Sequence, residues 1–340
     1  MLEGIATAEM WATDSGSIVV ARDNGHPAPA GRLDLITGIA SERAQLLFVG
    51  AVEGGKGSDD GDTELYADEV MLRLLPSTRA VIDIGKFPSP VGAFANRRLS
   101  TMNPLIGLPD GYPVQYPWGV QVSGATSRFD YRAALVSLPV SDADYVPAPS
   151  AAVHPALGGG VSFGPALRIG GSLTWGPYLS DTLGAYLPAG ADWKSYFERV
   201  YALDGRYSRG YFELRGEAAW SSYDVPTQAN PVDGMTWYAE VKQTWTPRLY
   251  TAGRLERNDY AFIRPTVAGT PWTAAPVDAY NAEVGVGFRI TAGALLKVSY
   301  RRQWWKNLTA TQQRLLRDGY ALAAQLSLHF DAKDWFDRKR

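Results

Sequence analysis

Arg79-Ala-Val-Ile-Asp-Ile-Gly-Lys-Phe87, which runs on through Pro88-Ser-Pro-Val-Gly-Ala-Phe-Ala-Asn-Arg97-Arg98 to Gln115, is the stretch from which the fold can be read. The first nine residues alternate as a strand should. The next 28 show neither a period of two nor a period of 3.6, and hold five prolines, three glycines and a single acid, Asp110. Structureless segments of that length are rare in compact domains and are usually functional. A long segment of this kind, set among strands, is expected to fold into the interior of a barrel and narrow it.

Working outward, period-two runs bounded by turn residues predict strands at 3–12, 31–40, 44–54, 64–75, 78–87, 116–126, 128–138, 155–163, 166–175, 193–204, 209–221, 236–246, 248–258, 279–289, 293–304 and 318–330. That makes sixteen, with the noisier early strands leaving fourteen or eighteen open. Connections alternate short and long throughout, so all the tight turns gather at one end and eight long loops at the other. Soluble strands average five or six residues, whereas these run to about ten or more, enough to cross an apolar band of ~25 Å when tilted. Aromatic residues crowd the strand ends: Trp193 and Tyr196, Trp220 and Tyr223, Trp237 and Tyr238, Trp245 and Tyr250, Trp304 and Trp305, Tyr320 and Phe330. Two interfacial girdles are expected from them.

The fold class is therefore all-β: a closed antiparallel transmembrane β-barrel of about sixteen strands, with short periplasmic turns, long extracellular loops and the third loop in the pore. Residues 1–330 are assigned to the barrel and 331–340 to a short periplasmic tail. No run of 18 apolar residues exists, which excludes a spanning helix only. Mean hydropathy of −0.17 suits alternating faces. Cysteine is absent, so there is no disulfide or thiolate metal site, and 33 basic against 35 acidic residues gives no footprint for nucleic acid. The opening residues lack the pattern of a signal peptide, so an exported chain implies one already removed.

Asp83-Ile-Gly-Lys-Phe-Pro-Ser-Pro-Val-Gly-Ala-Phe-Ala-Asn96, with Arg97-Arg98 and Asn103-Pro-Leu-Ile-Gly-Leu-Pro109, resembles a recurring segment of Gram-negative outer-membrane porins of the porin O and porin P (phosphate-selective) type. The likeness covers about 30 residues, and the final strand, ending on Phe330, is similar to the terminal strand of such barrels. It implies a passive channel in the cell outer membrane. The loop lacks the row of lysines a phosphate-selective channel needs, so phosphate specificity is not implied.

Residues expected at the constriction are Lys86, Asn96, Arg97, Arg98 and Asp110. Face parity assigns Glu69, Arg73, Arg79, Asp83, Glu213, Arg215, Glu217, Glu240, Lys242, Arg254, Glu256, Glu283, Arg289, Lys297 and Arg301 to the pore wall. These are seven acids and eight bases, nearly balanced. The expected function is diffusion of small hydrophilic solutes or ions with a mild preference for anions. A non-conducting barrel that anchors or sheathes an envelope partner is the alternative.

No catalytic or metal site is expected, and no cofactor. His26 and His154 fall in loops and His329 in the last strand, with no arrangement suited to acid–base work. Gly54-Gly-Lys-Gly-Ser58 lacks the order of a phosphate loop. Asp59, Asp60, Asp62 and Glu64 could gather calcium, but read better as a solvated acidic loop. Partners implied are outer-membrane lipid and lipopolysaccharide and the small solutes themselves, with a second copy of the chain or an envelope protein beside them.

Overall fold

The structure, a computed structural model, describes residues 2–14, 26–56, 62–109, 116–137, 152–260, 263, 271–274, 277–310, 312–314 and 316–331. Sixteen strands follow one another: β1 (Leu2–Thr13), β2 (Ala28–Ala40), β3 (Ala44–Gly54), β4 (Glu64–Ser77), β5 (Ala80–Lys86), β6 (Trp118–Ala125), β7 (Phe129–Val136), β8 (His154–Phe163), β9 (Leu167–Pro177), β10 (Phe197–Arg209), β11 (Phe212–Tyr223), β12 (Val232–Thr244), β13 (Leu249–Tyr260), β14 (Val277–Thr291), β15 (Ala294–Lys306) and β16 (Gly319–Asp331). Each pairs antiparallel with its neighbours in sequence, and β16 closes on β1 from Glu3↔Asp331 to Thr13↔Ala321. Closure leaves no free strand edge, which a bilayer demands.

The two faces separate as the alternation predicts. Leu322 and Leu328 of β16, Val298 and Tyr300 of β15, and Val284, Val286 and Phe288 of β14 are exposed on the outside. Between them Gln325, Ser327, Lys297, Ser299, Arg301, Asn281 and Glu283 are buried on the inside. An apolar exterior over a polar interior is the pattern of an outer-membrane barrel, and this architecture puts the chain in an outer membrane. Thirteen strands have 10–15 residues; the three shorter ones, β5 to β7, flank the departure and return of the third loop.

The girdle expectation needs correction. Residues an odd number of positions apart on a strand face opposite ways, so of Trp220 and Tyr223, of Trp237 and Tyr238, and of Trp304 and Trp305 only one each can meet lipid, whereas Tyr320 and Phe330 share the outer face. Trp220 and Trp245 are exposed, while Tyr223, Tyr238, Tyr250 and Trp305 turn inward and are buried. The tenth strand also starts later than expected: Trp193–Ser195 is a 3-10 turn capped by Asp192, whose side chain accepts from the Lys194 amide. His154, expected in a loop, begins β8 and is fully buried, with its ring against the backbone of Gly176 and Nε2 2.8 Å from the Pro177 carbonyl.

At the long-loop end, Tyr178, Leu179, Leu183 and Val225 form an apolar cluster with Tyr223 at the end of β11 and with Ile263 and Trp272. Trp272 Nε1 donates to the Tyr186 carbonyl and Tyr178 Oη to that of Asp224. Burial holds the Tyr178 phenol above its ordinary pKa.

Candidate functional site

The loop between β5 and β6, residues 87–117 and here called L3, folds into the barrel. It leaves β5 at Gly85, whose φ of +129° lies where side chains are strained and where a Cβ would stand 2.2 Å from the Val70 carbonyl oxygen. Only glycine permits that approach. Phe87 and Val91 then sink into an apolar cluster with Met71, Val136, Val200 and the small side chains of Ala134, Ala156, Ala202 and Ala219. Those alanines leave the room that the phenyl ring fills. One turn of 3-10 helix, Phe94–Arg97, follows, with Phe94 edge-on to Tyr238 at 5.7 Å.

L3 is tied to walls all round the barrel. Gly92 N–H donates to Ser172 Oγ (2.9 Å) and Ala93 N–H to Glu217 (2.9 Å). Ser100 Oγ meets Thr7 Oγ1 at 3.0 Å. On the far side Lys297, 1% exposed, donates through Nζ to the carbonyls of Ser100, Asn103 and Leu105 at 2.8, 3.1 and 3.0 Å. Glu283 accepts from the amides of Ile106 and Gly107, and Arg254 donates to the Gly107 carbonyl at 2.7 Å. Leu105 and Ile106 complete the packing, against Tyr250 and Leu295 and against Trp11 and Ala323 respectively.

Charges expected at the constriction fall differently from one another. Arg97 pairs with Glu240 at 2.5 Å, and Arg98 pairs with Asp68 at 2.5 Å and Asp34 at 3.3 Å. The two adjacent cations are thus compensated by acids of β12, β4 and β2. Lys86 does not join them. It shares its parity with exposed Ile84, faces away from the lumen and donates to the Ala67 carbonyl. Asn96 lies in the 3-10 turn, its side chain outside the described residues, as is Asp110 altogether.

The wall residues resolve into four groups. Arg254, fully buried, pairs with Glu256 (2.6 Å), Glu283 (2.9 Å) and Glu240 (3.4 Å), and Arg301 reaches Glu256 at 3.5 Å. With Arg97 this network holds three bases and three acids, so its charges cancel. Buried charges of this kind persist only when paired and hydrogen-bonded. Lower in the barrel Glu213 takes Lys242 (2.8 Å) and Arg215 (3.1 Å), while Glu217 faces L3 and Tyr238. Arg73 pairs with Asp83 at 2.7 Å. Arg289 borders a small void of about 240 Å³ near the last tight turn.

L3 does not fill the lumen between these ties. A cavity of about 710 Å³ lies there against β2–β7, lined by Glu69, Arg73, Arg79, Asp83, Arg98 and Arg132 among others. It reaches the tight-turn end, where Arg79 sits in the turn between β4 and β5 rather than in a strand.

No family model matches the chain, and no curated protein does. Solved structures match over nearly its whole length. Outer-membrane expressed OmpT of Vibrio cholerae is 13% identical, covers 97% of this chain and of its own, and gives a TM-score of 0.57. Its loop L8 deletion mutant is 11% identical, with 97% and 98% covered and a TM-score of 0.58. An anion-selective porin from Comamonas acidovorans is 9% identical, with 97% and 99% covered and a TM-score of 0.62. At such identities the likeness shows a shared fold. This chain is an outer-membrane barrel.

Several inward charges escaped the sequence reading. Arg32, Asp34 and Glu53 form one cluster, with Arg32 held by Glu53 at 2.6 Å and Asp34 at 3.0 Å. Asp130, Arg168 and Asp204 form another, with Arg168 bidentate on Asp130 at 2.7 Å. Their signal was present: Leu33, Leu35 and Ile39 oppose Arg32 and Asp34, and Phe129, Tyr131 and Leu135 oppose Asp130 and Arg132. The glycines of β8 also carried one. A Cβ on Gly158 would lie 2.5 Å from Arg132 Nε, so the run makes space for inward arginines.

Proposed function

We propose that this barrel is a porin: a water-filled channel through which small hydrophilic solutes and ions diffuse across an outer membrane without covalent chemistry. The observation that carries this reading is the asymmetric placement of L3. It is tied to strands all round the wall and still leaves a charged cavity of about 710 Å³ along β2–β7. Charged side chains beside water retain their hydration, so such a cavity needs no ligand to be stable. Fixed charge at low-dielectric walls then sets selectivity. Because Arg97 and Arg98 are compensated, a mild anion preference falls instead to Arg79 and Arg132, which have no ion pair at 4.0 Å or less among the described residues. The shared fold with an anion-selective porin supports the same reading. Lipid and lipopolysaccharide surround the barrel in this proposal.

Reconstitution into planar bilayers tests it. Stepwise ohmic conductance that scales with bulk salt is the expected result. Folded protein that inserts without conducting favours the second reading, a scaffold for an envelope partner, which the depth of L3 packing around Arg254 and Lys297 supports.

A further inference from the structure

The two ends of the barrel carry opposite charge. Outside L3, the long loops hold eleven acids and six bases. The tight turns reverse this balance. Arg43 closes the turn between β2 and β3, Arg128 that between β6 and β7 and Arg248 that between β12 and β13, while Arg209 is the last residue of β10. All four are exposed, and none has an ion pair at 4.0 Å or less among the described residues. Glu42 is the only acid among the described residues of the tight turns.

The other charges at this end do not cancel the surplus. Asp130 and Asp204 hold Arg168, and Glu213 is shared by Arg215 and Lys242. Glu3 and Asp331 are paired in register at the seam, with His329 3.6 Å from Glu3. Set against them, Arg79, Arg206 and Arg289 are three further cations without an ion pair among the described residues. Ten bases thus meet six acids at this end. Residues 332–340, outside the described part, add four bases and two acids. The depth of the ring is fixed by its neighbours. Arg43, Arg128, Arg209 and Arg248 lie one to three residues along the chain from the exposed side chains of Leu46, Phe129, Tyr211 and Trp245 respectively. At about 3.3 Å per residue and a tilt near 40°, that is a rise of at most ~8 Å. The interfacial layer of a bilayer is about 5–8 Å deep on each side. The four guanidinium groups therefore stand among headgroups, above the space where a cell-wall polymer or a periplasmic protein would lie. They are also spread round the circumference, which a shell of lipid covers and a single docked partner does not.

We infer that the tight-turn ring is an interaction surface for phospholipids of net negative headgroup charge in the inner leaflet, their phosphates held by Arg43, Arg128, Arg209 and Arg248, with Phe129 and Trp245 at the acyl boundary. A guanidinium presents its donors in a fork that fits a phosphate. Each basic residue close to an anionic membrane surface strengthens attraction by about fivefold. The inference adds a leaflet and a headgroup to the lipid surroundings proposed above, and it holds whether or not the barrel conducts.

The test is native mass spectrometry of the full chain, folded in detergent and titrated with dioleoyl phosphatidylglycerol or, separately, dioleoyl phosphatidylcholine. The first four phosphatidylglycerol molecules should bind about fivefold more tightly than phosphatidylcholine. Arg43→Gln, Arg128→Gln, Arg209→Gln and Arg248→Gln combined should erase that preference, and each alone should remove one preferred lipid. Arg302→Gln with Lys306→Gln, exposed bases towards the long-loop end of β15, should leave it intact. Each variant is first checked for the heat-modifiable migration of a closed barrel. Equal binding of the two lipids, a preference that survives in the fourfold variant, or one lost only with Arg302 and Lys306 overturns the inference. Co-sedimentation with purified peptidoglycan sacculi is measured alongside: a barrel that sediments through the four arginines without preferring phosphatidylglycerol assigns the ring to the cell wall and overturns the lipid reading. Conductance is recorded separately: a silent barrel that retains phosphatidylglycerol defeats only the channel reading, and a conducting barrel without the preference defeats only the lipid surface.

Discussion

Arg98 of L3 and Asp68 of β4 form an ion pair at 2.5 Å, and they meet because β4 carries one residue more than β3 opposite it. The register passes from Val49↔Glu69 to Gly50↔Ala67, leaving Asp68 as the extra residue of a bulge. Strict alternation would aim Asp68 at lipid if Glu69, Met71 and Arg73 face inward. The bulge turns both Asp68 and Glu69 towards the lumen, and Arg32 shares Asp68 at 3.3 Å. Bulges of this kind re-aim side chains.

Asp68→Asn removes the acid on which Arg98 and Arg32 converge. The reversal potential in a salt gradient should move towards anions, because one lumenal negative charge is lost. Screening length is about 10 Å at 0.1 M and about 3 Å at 1 M, so the shift should be clear at low salt and fade at high salt. Deleting Asp68 outright removes the bulge but keeps the pairs Val49↔Glu69, Gly50↔Ala67 and Val52↔Leu65, so Leu65, 84% exposed, keeps its outward facing. Folding yield in detergent should therefore survive the deletion as well as the substitution, both moving the reversal potential the same way.

Lys297→Met tests the hold on L3. The thioether fills similar space, but three loop carbonyls lose a charged donor, each such bond contributing about 1.5–3 kcal/mol. Thermal unfolding should start lower. Current through the channel should become noisier or larger as residues 100–105 loosen.

Phe330 lies flat over Gly4 across the β1–β16 seam, its ring where a Cβ on Gly4 would be, 2.1 Å from the nearest carbon. Phe330→Ala uncovers that stretch of backbone to lipid and should weaken closure by a few kcal/mol, as loss of a packed aromatic generally does. Removing 332–340 should leave closure intact, since Glu3↔Asp331 is the last pair of the seam. Heat-modifiable migration on a denaturing gel reads both outcomes.

What could be read in the sequence follows from how local each cause is. Sixteen strands, their order and the alternation of loop lengths come from nearest-neighbour periodicity, and these stand in the structure. The inward turn of L3 was legible from its length and prolines. Its partners were not: Asp34, Asp68 and Glu240 lie between 30 and 143 residues from the arginines they bind. Asp68 was hidden further by the bulge, a property of two strands together. Lys86 was misplaced because its sequence neighbours outweighed its parity with Ile84. Arg132 and Arg168 were available from parity alone.

The two adjacent arginines make a last, sharper prediction, because the structure separates them. Arg97 lies against Glu240 and Phe94 within the β12 side, away from the cavity, with Nη1 buried. Arg98 lines the cavity and lies over the Tyr116 ring at 5.1 Å. Charge acts on a passing ion only across distances comparable with the screening length, and more strongly where low-dielectric walls focus it. Arg98→Gln should therefore move the reversal potential towards cations, as Asp34 and Asp68 lose a counter-charge beside the open path. Arg97→Gln should leave selectivity where it was and lower thermal stability, because Glu240 then has only Arg254 at 3.4 Å to offset its burial. Equal shifts from both substitutions would place Arg97 on the ion path and contradict the asymmetric lumen; no shift from either would put the ion path elsewhere than along β2–β7.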